Sequence, residues 1–162
     1  MTPPLRFRRG VRALLLDSDD RVLLVRFEFP TATVWATPGG GQEPGEDDEA
    51  TLRRELHEEV GLTDVEIGPL VWMRRHVVPF VDGSWDGQRD LIYLVRTAPF
   101  EPAPMLSWDE LRAERLHALR WWTIDELAAV PPTIRFAPRT LPALLFDLLR
   151  DGAPETPIET GI

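Results

Sequence analysis

The chain predicts an α/β domain built on a mixed sheet, and three observations carry that expectation. Runs of β-rich apolar residues alternate with segments of helical periodicity along the whole length, the pattern of an α/β or α+β layer architecture. The 162 residues fit one domain by the usual prior of roughly 100–200 residues each, and no repeat or linker divides them. Hydrophobic residues make up 43% of the chain, enough for an ordinary core, and the absence of cysteine excludes a disulfide framework.

The elements follow in order. Arg12–Asp17 and Val22–Glu28 are apolar, strand-like runs with the turn Ser18–Arg21 between them, so they read as a hairpin. Phe29–Thr33 is a loop, and Val34–Thr37 leads into Pro38–Gly45, where four glycines and two prolines in eight residues predict irregular structure. A helix is expected from about Asp47 to Val60. Acidic residues crowd its first turn, where they suit the positive end of the helix dipole, and Leu52, Leu56 and Val60 recur at i, i+4 and i+8. Gly61 stands where a terminating glycine belongs.

Leu70–Val78 and Asp90–Arg96 read as strands flanking the polar connection Pro79–Gln88. Leu106–His117 is ambiguous between helix and loop. Leu119–Thr123 is strand-like, and Thr123 then caps a short helix, Ile124–Val130. Pro142 suits the first turn of a final helix running to about Arg150 and ended by Gly152. The expected organisation is a single domain over 1–152 and a loose C-terminal tail over 153–162.

Charge narrows the chemistry. All 18 basic residues are arginine, against 27 acidic ones, for a net charge of −9. Without lysine the chain has neither a Walker-type phosphate loop nor a Schiff-base nucleophile. Its acidity disfavours duplex nucleic acid, and no apolar run approaches the roughly 18–20 residues of a membrane span. The N-terminus lacks the apolar core and cleavage site of a secretory signal, so a cytoplasmic protein is expected. An acidic protein that handles phosphates must recruit metal cations or local arginines.

The stretch from Gly40 to Leu62 meets that need. Glu55, Glu58 and Glu59 stand at i, i+3 and i+4, within one arc of about 100° on the helix and apart from the Leu52–Leu56–Val60 stripe. Like charges at these spacings destabilise a helix by about 0.2–0.5 kcal/mol per pair. Three hard oxygen donors aimed at one point suit Mg²⁺ or Mn²⁺, and the preceding glycine loop can add a backbone carbonyl. Three glutamates alone are more often simply a solvated face, and Arg54 alone more often a surface partner. The joint spacing outweighs both: Gly40, Glu46, Arg54, Glu55, Glu58, Glu59 and Gly61 with aliphatic Leu56 and Leu62 arises by chance on the order of 10⁻⁹ per starting point, at about 7% per fixed residue.

This pattern is the Nudix box, with no position departing from it, and the chain resembles the Nudix hydrolase family. Weaker likenesses are Trp35–Gly40, resembling the entry to the box, and Trp121–Leu127, resembling a late strand and helix; together they extend the likeness over roughly Val11–Leu149. The resemblance implies an α/β/α sandwich around a mixed sheet. It implies hydrolysis of the diphosphate linkage in a nucleoside diphosphate joined to another group, and a small nucleotide substrate such as a nucleoside triphosphate, ADP-ribose or nucleotide sugar.

By matching position, Glu55, Glu58, Glu59 and the Gly40 carbonyl are the implied ligands of Mg²⁺ or Mn²⁺. Glu55 is also a candidate to orient or deprotonate water, and Arg54 is expected to pair with Glu46, locking the loop against the helix and aiming Glu55. Relatives differ in the general base; Glu114 is the candidate from a later segment and Glu110 the second choice. For phosphate contacts the candidates are Arg26, Arg75 and Arg89, on or beside strands. His76, Trp35 and Phe27 suit either substrate contact or structural packing. The Ser-Gln-Pro-Trp stretch of NADH-cleaving relatives is absent, and no tyrosine lies between the box and Tyr93, which disfavours dinucleoside polyphosphates. A homodimer is the one assembly the resemblance suggests. The alternatives are a non-catalytic nucleotide-binding regulatory module and a hydrolase of RNA 5′ ends.

Overall fold

A computed structural model describes residues 1–162. Nine strands form one mixed sheet: β1 Phe7–Leu16, β2 Val22–Phe29, β3 Ala32–Ala36, β4 Gly39–Gly41, β5 Ile67–His76, β6 Gly87–Arg96, β7 Leu116–Trp122, β8 Arg135–Ala137 and β9 Ile158–Glu159. Four helices accompany them: α1 Asp48–Val60, α2 Trp108–Ala113, α3 Ile124–Ala128 and α4 Leu141–Asp151. The strand order is β8-β3-β2-β1-β6-β5-β9, with β4 paired to β1 and β7 to β2. The β1–β6, β3–β8 and β5–β9 pairs are parallel and the others antiparallel.

The second half of the central strand β1, Ala13–Leu16, is an unbroken apolar run because both of its faces are covered there. Val11, Ala13 and Leu15 point to one side, where they meet Leu52, Leu56 and Val60 of α1. Leu14 and Leu16 point to the other and pack with Trp72, Ile92, Trp122, Leu127 of α3 and Leu141, Leu145 and Leu148 of α4. The result is the expected α/β/α sandwich. The helical stripe on α1 is fully buried, each of its side chains contributing about 1.5–3 kcal/mol of hydrophobic stabilisation.

Helix boundaries follow local chemistry. The Asp47 side chain accepts a hydrogen bond from the Ala50 amide, and Gly61 ends α1 with φ 73°, the left-handed conformation glycine adopts without strain. Thr123 and Glu126 form a reciprocal capping box on α3, which stops at Ala128, two residues before the expected end.

The structure corrects two expectations, settles one open segment and adds one strand. Gly39–Gly41 is a strand paired with Gly10–Arg12, because the neighbouring backbone supplies the order that the glycines themselves do not. The ambiguous segment Leu106–His117 contains α2, capped by Ser107. Arg135–Ala137 adds a parallel edge strand that three residues were too few to announce. The tail is not loose: Ile158 and Glu159 pair with Trp72 and Met73, and the Ile162 carbonyl accepts a hydrogen bond from the Arg139 amide at 3.1 Å.

Candidate active site

The short β4 strand and α1 place the box residues against one another. Arg54 is the hub. Its Nε donates to Glu46 Oε2 at 2.8 Å and its Nη2 to Glu46 Oε1 at 3.0 Å, while Nη2 also reaches the Gly41 carbonyl at 3.1 Å. The expected Arg54–Glu46 latch is therefore present and bidentate, the strongest geometry available to a guanidinium and a carboxylate. Hydrogen bonds from Arg54 and from the Glu43 amide hold the Glu46 carboxyl down at about 2. Arg54 Nη1 then lies between Glu55 Oε1 at 3.0 Å and Glu58 Oε2 at 3.3 Å.

Glu55 and Glu59 are almost fully buried, at 7% and 3% exposure. Burial pushes Glu55 upward, and the nearby Glu58 charge adds to that, against the opposing pull of Arg54. Burial also lifts Glu59 well above the usual carboxylate range; the charge of Glu55 adds to this, while Arg12 and the Gly39 amide oppose it. That amide donates to Glu59 Oε2 at 3.1 Å, tying the carboxylate to β4. Gly40 leaves the space that Glu55 occupies: a Cβ there would stand 2.5 Å from Glu55 Oε1.

Two buried carboxylates, both raised by burial and by a neighbouring glutamate, beside the glycine backbone of β4, form a hard-oxygen donor set short of positive charge. Such a set fits Mg²⁺ or Mn²⁺. In the conformation seen, no three acidic or histidine side chains close around a single point; the Arg54 guanidinium spans Glu55 and Glu58 instead.

The other expected residues separate. Glu114 terminates α2, and its charge contributes to raising Glu59, so the structure brings it toward the carboxylates. Glu110 lies exposed in the first turn of that helix, its amide bonded to the capping Ser107. Arg26 pairs with Glu28 at 3.2 Å and faces Trp35. Arg75 covers the Phe7 ring, and Arg89 turns to Met73 and Glu159. None of the three has a partner among the α1 carboxylates. Trp35 is a core residue edge-on to Trp122 at 5.2 Å, whereas Phe27 and His76 line a cavity of about 610 Å³.

The residue that sequence reasoning missed is Arg12. It lies on β1 with its side chain 15% exposed, in an ion pair with Asp90 at 3.2 Å, and its Nη1 donates to the Thr37 carbonyl at 2.9 Å. Burial disfavours its charge, but Asp90, Glu59 and Glu55 outweigh that and raise its pKa. Arg12 lines the 610 Å³ cavity, a concave space of nucleotide size that Glu55, Glu58 and Glu59 themselves do not line. An arginine flanked by Val11 and the apolar run Ala13–Leu16 was the available signal. The larger cavity, about 760 Å³, opens beside the first turns of α1 and is lined by four acidic residues and two arginines; Glu55, Glu58 and Glu59 do not reach it.

The family profile for the NUDIX domain matches residues 6–144. An "RNA pyrophosphohydrolase" of Caulobacter vibrioides is 33% identical over 128 residues, covering 74% of this chain and 73% of that protein. "Nucleoside diphosphate-linked moiety X motif 6" of Xenopus laevis is 31% identical, over 85% of this chain and 59% of its own. Among solved structures, a MutT NUDIX hydrolase from Burkholderia pseudomallei superposes with TM-score 0.56 at 26% identity, covering 86% of this chain and 95% of that one. The NUDIX domain of Shewanella oneidensis NrtR, complexed with ADP ribose, gives 0.61 at 18% identity, over 88% of each.

Proposed function

Since the chain belongs to the NUDIX family, whose hydrolases act on pyrophosphate bonds, we propose that it is a divalent-metal-dependent pyrophosphohydrolase of a small nucleotide, with its chemistry on the carboxylate face of α1. The observation that carries this reading is the burial of Glu55 and Glu59 against β4, which pushes both carboxyls upward, with Glu58 adding to the rise of Glu55 and Glu55 to that of Glu59. Glu55, Glu58, Glu59 and the Gly40 carbonyl would hold Mg²⁺ or Mn²⁺, which when bound neutralises charge growing on the diphosphate oxygens.

The chain's own groups do the rest. Arg54, clamped by Glu46, aims Glu55 to orient the attacking water and accept its proton; Glu114 is the second candidate for that base. Arg12, coupled through charge to Glu59 and Glu55, supplies positive charge on the cavity side of the carboxylates. Water oxygen bonds to one phosphorus as the bridging P–O bond breaks, giving two phosphate-bearing products. Catalysis of this kind is mainly positioning and charge stabilisation.

The NrtR domain complexed with ADP ribose supports a small nucleotide in such a fold. A second reading, an RNA 5′ end as substrate, is favoured by the relatives named RNA pyrophosphohydrolase. The test is product formation with Mg²⁺ on ADP-ribose, nucleotide sugars, nucleoside triphosphates and a 5′-triphosphorylated oligoribonucleotide, each repeated in EDTA. Metal-dependent cleavage is expected, and the best substrate decides between the readings. Nucleotide binding without cleavage anywhere on the panel would overturn the enzyme in favour of a regulatory module.

A further inference from the structure

The 610 Å³ cavity carries charge of the opposite sign to the chain as a whole. The protein has a net charge of −9, yet four of its 18 arginines, Arg12, Arg74, Arg135 and Arg139, line this one space with a single acidic side chain, Asp90. Two of these arginines are built into the floor. Asp90, 1% exposed, pairs with Arg12 at 3.2 Å and Arg74 at 3.4 Å and accepts from Gln88 Nε2 at 2.7 Å. One carboxylate thus orients two guanidiniums and can neutralise only one.

Arg74 is itself 16% exposed, and its Nε is out of contact with solvent and without a hydrogen-bond partner. Burial and the charge of Arg12 both work against its charge, with Arg139 adding to the repulsion. A fold dominated by acidic residues has no structural need to gather like charges here. A ligand that brings negative charge satisfies them, and the planar fork of arginine suits phosphate.

We propose that Arg74 and Arg139, with Arg12 held by Asp90, form a subsite for a substrate phosphate outside the linkage being cut. The substrate class is then a nucleotide that carries a further phosphate on the group seated in the cavity. This rests on the catalytic reading above, because Arg12 lines the cavity and is also coupled through charge to Glu59 and Glu55.

The probe is inorganic phosphate, titrated by ³¹P NMR into the protein in EDTA and then used as an inhibitor of Mg²⁺-dependent hydrolysis. Wild type is expected to bind phosphate, Arg74→Gln and Arg139→Gln to bind it at least tenfold more weakly, and Glu58→Gln to bind it like wild type. Arg139 is exposed, so its variant keeps the test sound if Arg74→Gln fails to fold. Inhibition is expected to be competitive with substrate and to weaken in parallel in both arginine variants. Absent binding, binding unchanged in Arg139→Gln, or non-competitive inhibition would overturn the subsite. Hydrolysis that persists while phosphate binding is absent rejects this subsite and leaves the catalytic reading standing; phosphate binding without hydrolysis on the panel rejects the catalytic reading and, with it, the assignment of the subsite to a substrate.

Discussion

Glu58→Gln separates chemistry from folding more cleanly than any other substitution in the box. The glutamate is about one-third exposed, and its recorded side-chain partner is Arg54 Nη1 at 3.3 Å, one turn away on the same helix. Pairs of that geometry contribute about 0.3–0.5 kcal/mol, and the amide oxygen of Gln still accepts from Arg54. For a domain of this size, 1 kcal/mol moves Tm by roughly 2–4 °C, so the melting temperature should fall by less than about 2 °C. Activity is another matter. Gln is isosteric but neutral, and it removes one of the three charges that would hold the metal and offset charge in the transition state. A hundredfold loss of kcat corresponds to about 2.7 kcal/mol, a modest figure for one charged ligand, and at least that loss is expected. The assay is steady-state hydrolysis of the best panel substrate at saturating Mg²⁺, with melting followed by circular dichroism. Near-normal kcat with an unchanged melting curve would refute the assignment of Glu58 to the metal.

Leu56→Ala should do the reverse, destabilising the fold by about 2–5 kcal/mol because the side chain is fully buried between α1 and β1; chemical denaturation measures it. Glu46→Gln weakens the clamp on Arg54 and should lower kcat by about 10–100-fold with little change in KM, read in the same hydrolysis assay. In metal-free protein the raised Glu59 gives a definite sign: stability is fully present below the ordinary value of 4.5 and is lost as pH rises through the folded value. Glu59→Gln should therefore melt above wild type at pH 8 in EDTA and show little difference at pH 4. A variant that melts lower at pH 8 would contradict the burial of an ionising carboxyl there.

The sequence was most readable where local pattern and burial coincide. Leu52, Leu56 and Val60 announced the buried face of α1 by spacing alone, and the three glutamates announced the face turned to β4. Asp47, Gly61 and Thr123 marked helix ends because capping is a contact between near neighbours. What stayed hidden depends on distant partners. The glycines of β4 have no strand propensity, and only the Gly10–Arg12 segment of β1 makes them a strand. The β5–β9 pair joins residues more than eighty positions apart.

The same reason explains the phosphate contacts. Arg26, Arg75 and Arg89 were chosen for their strands, but a strand's alternation leaves open which face borders the site. The structure turns them toward Trp35, Phe7 and Glu159. Arg12 feels the charge of both Asp90 and the α1 carboxylates because β1 lies between β6, which carries Asp90, and β4, which leads into α1. That relation is three-dimensional and has no trace in spacing.

The account turns on a divalent ion held by the carboxylate face of α1, and Mn²⁺ titration followed by electron paramagnetic resonance measures it without a substrate. Wild type is expected to remove Mn²⁺ from solution, and Glu58→Gln and Glu59→Gln to lose most of that binding while keeping their folded circular dichroism. Equal Mn²⁺ binding by wild type and both variants would contradict the account.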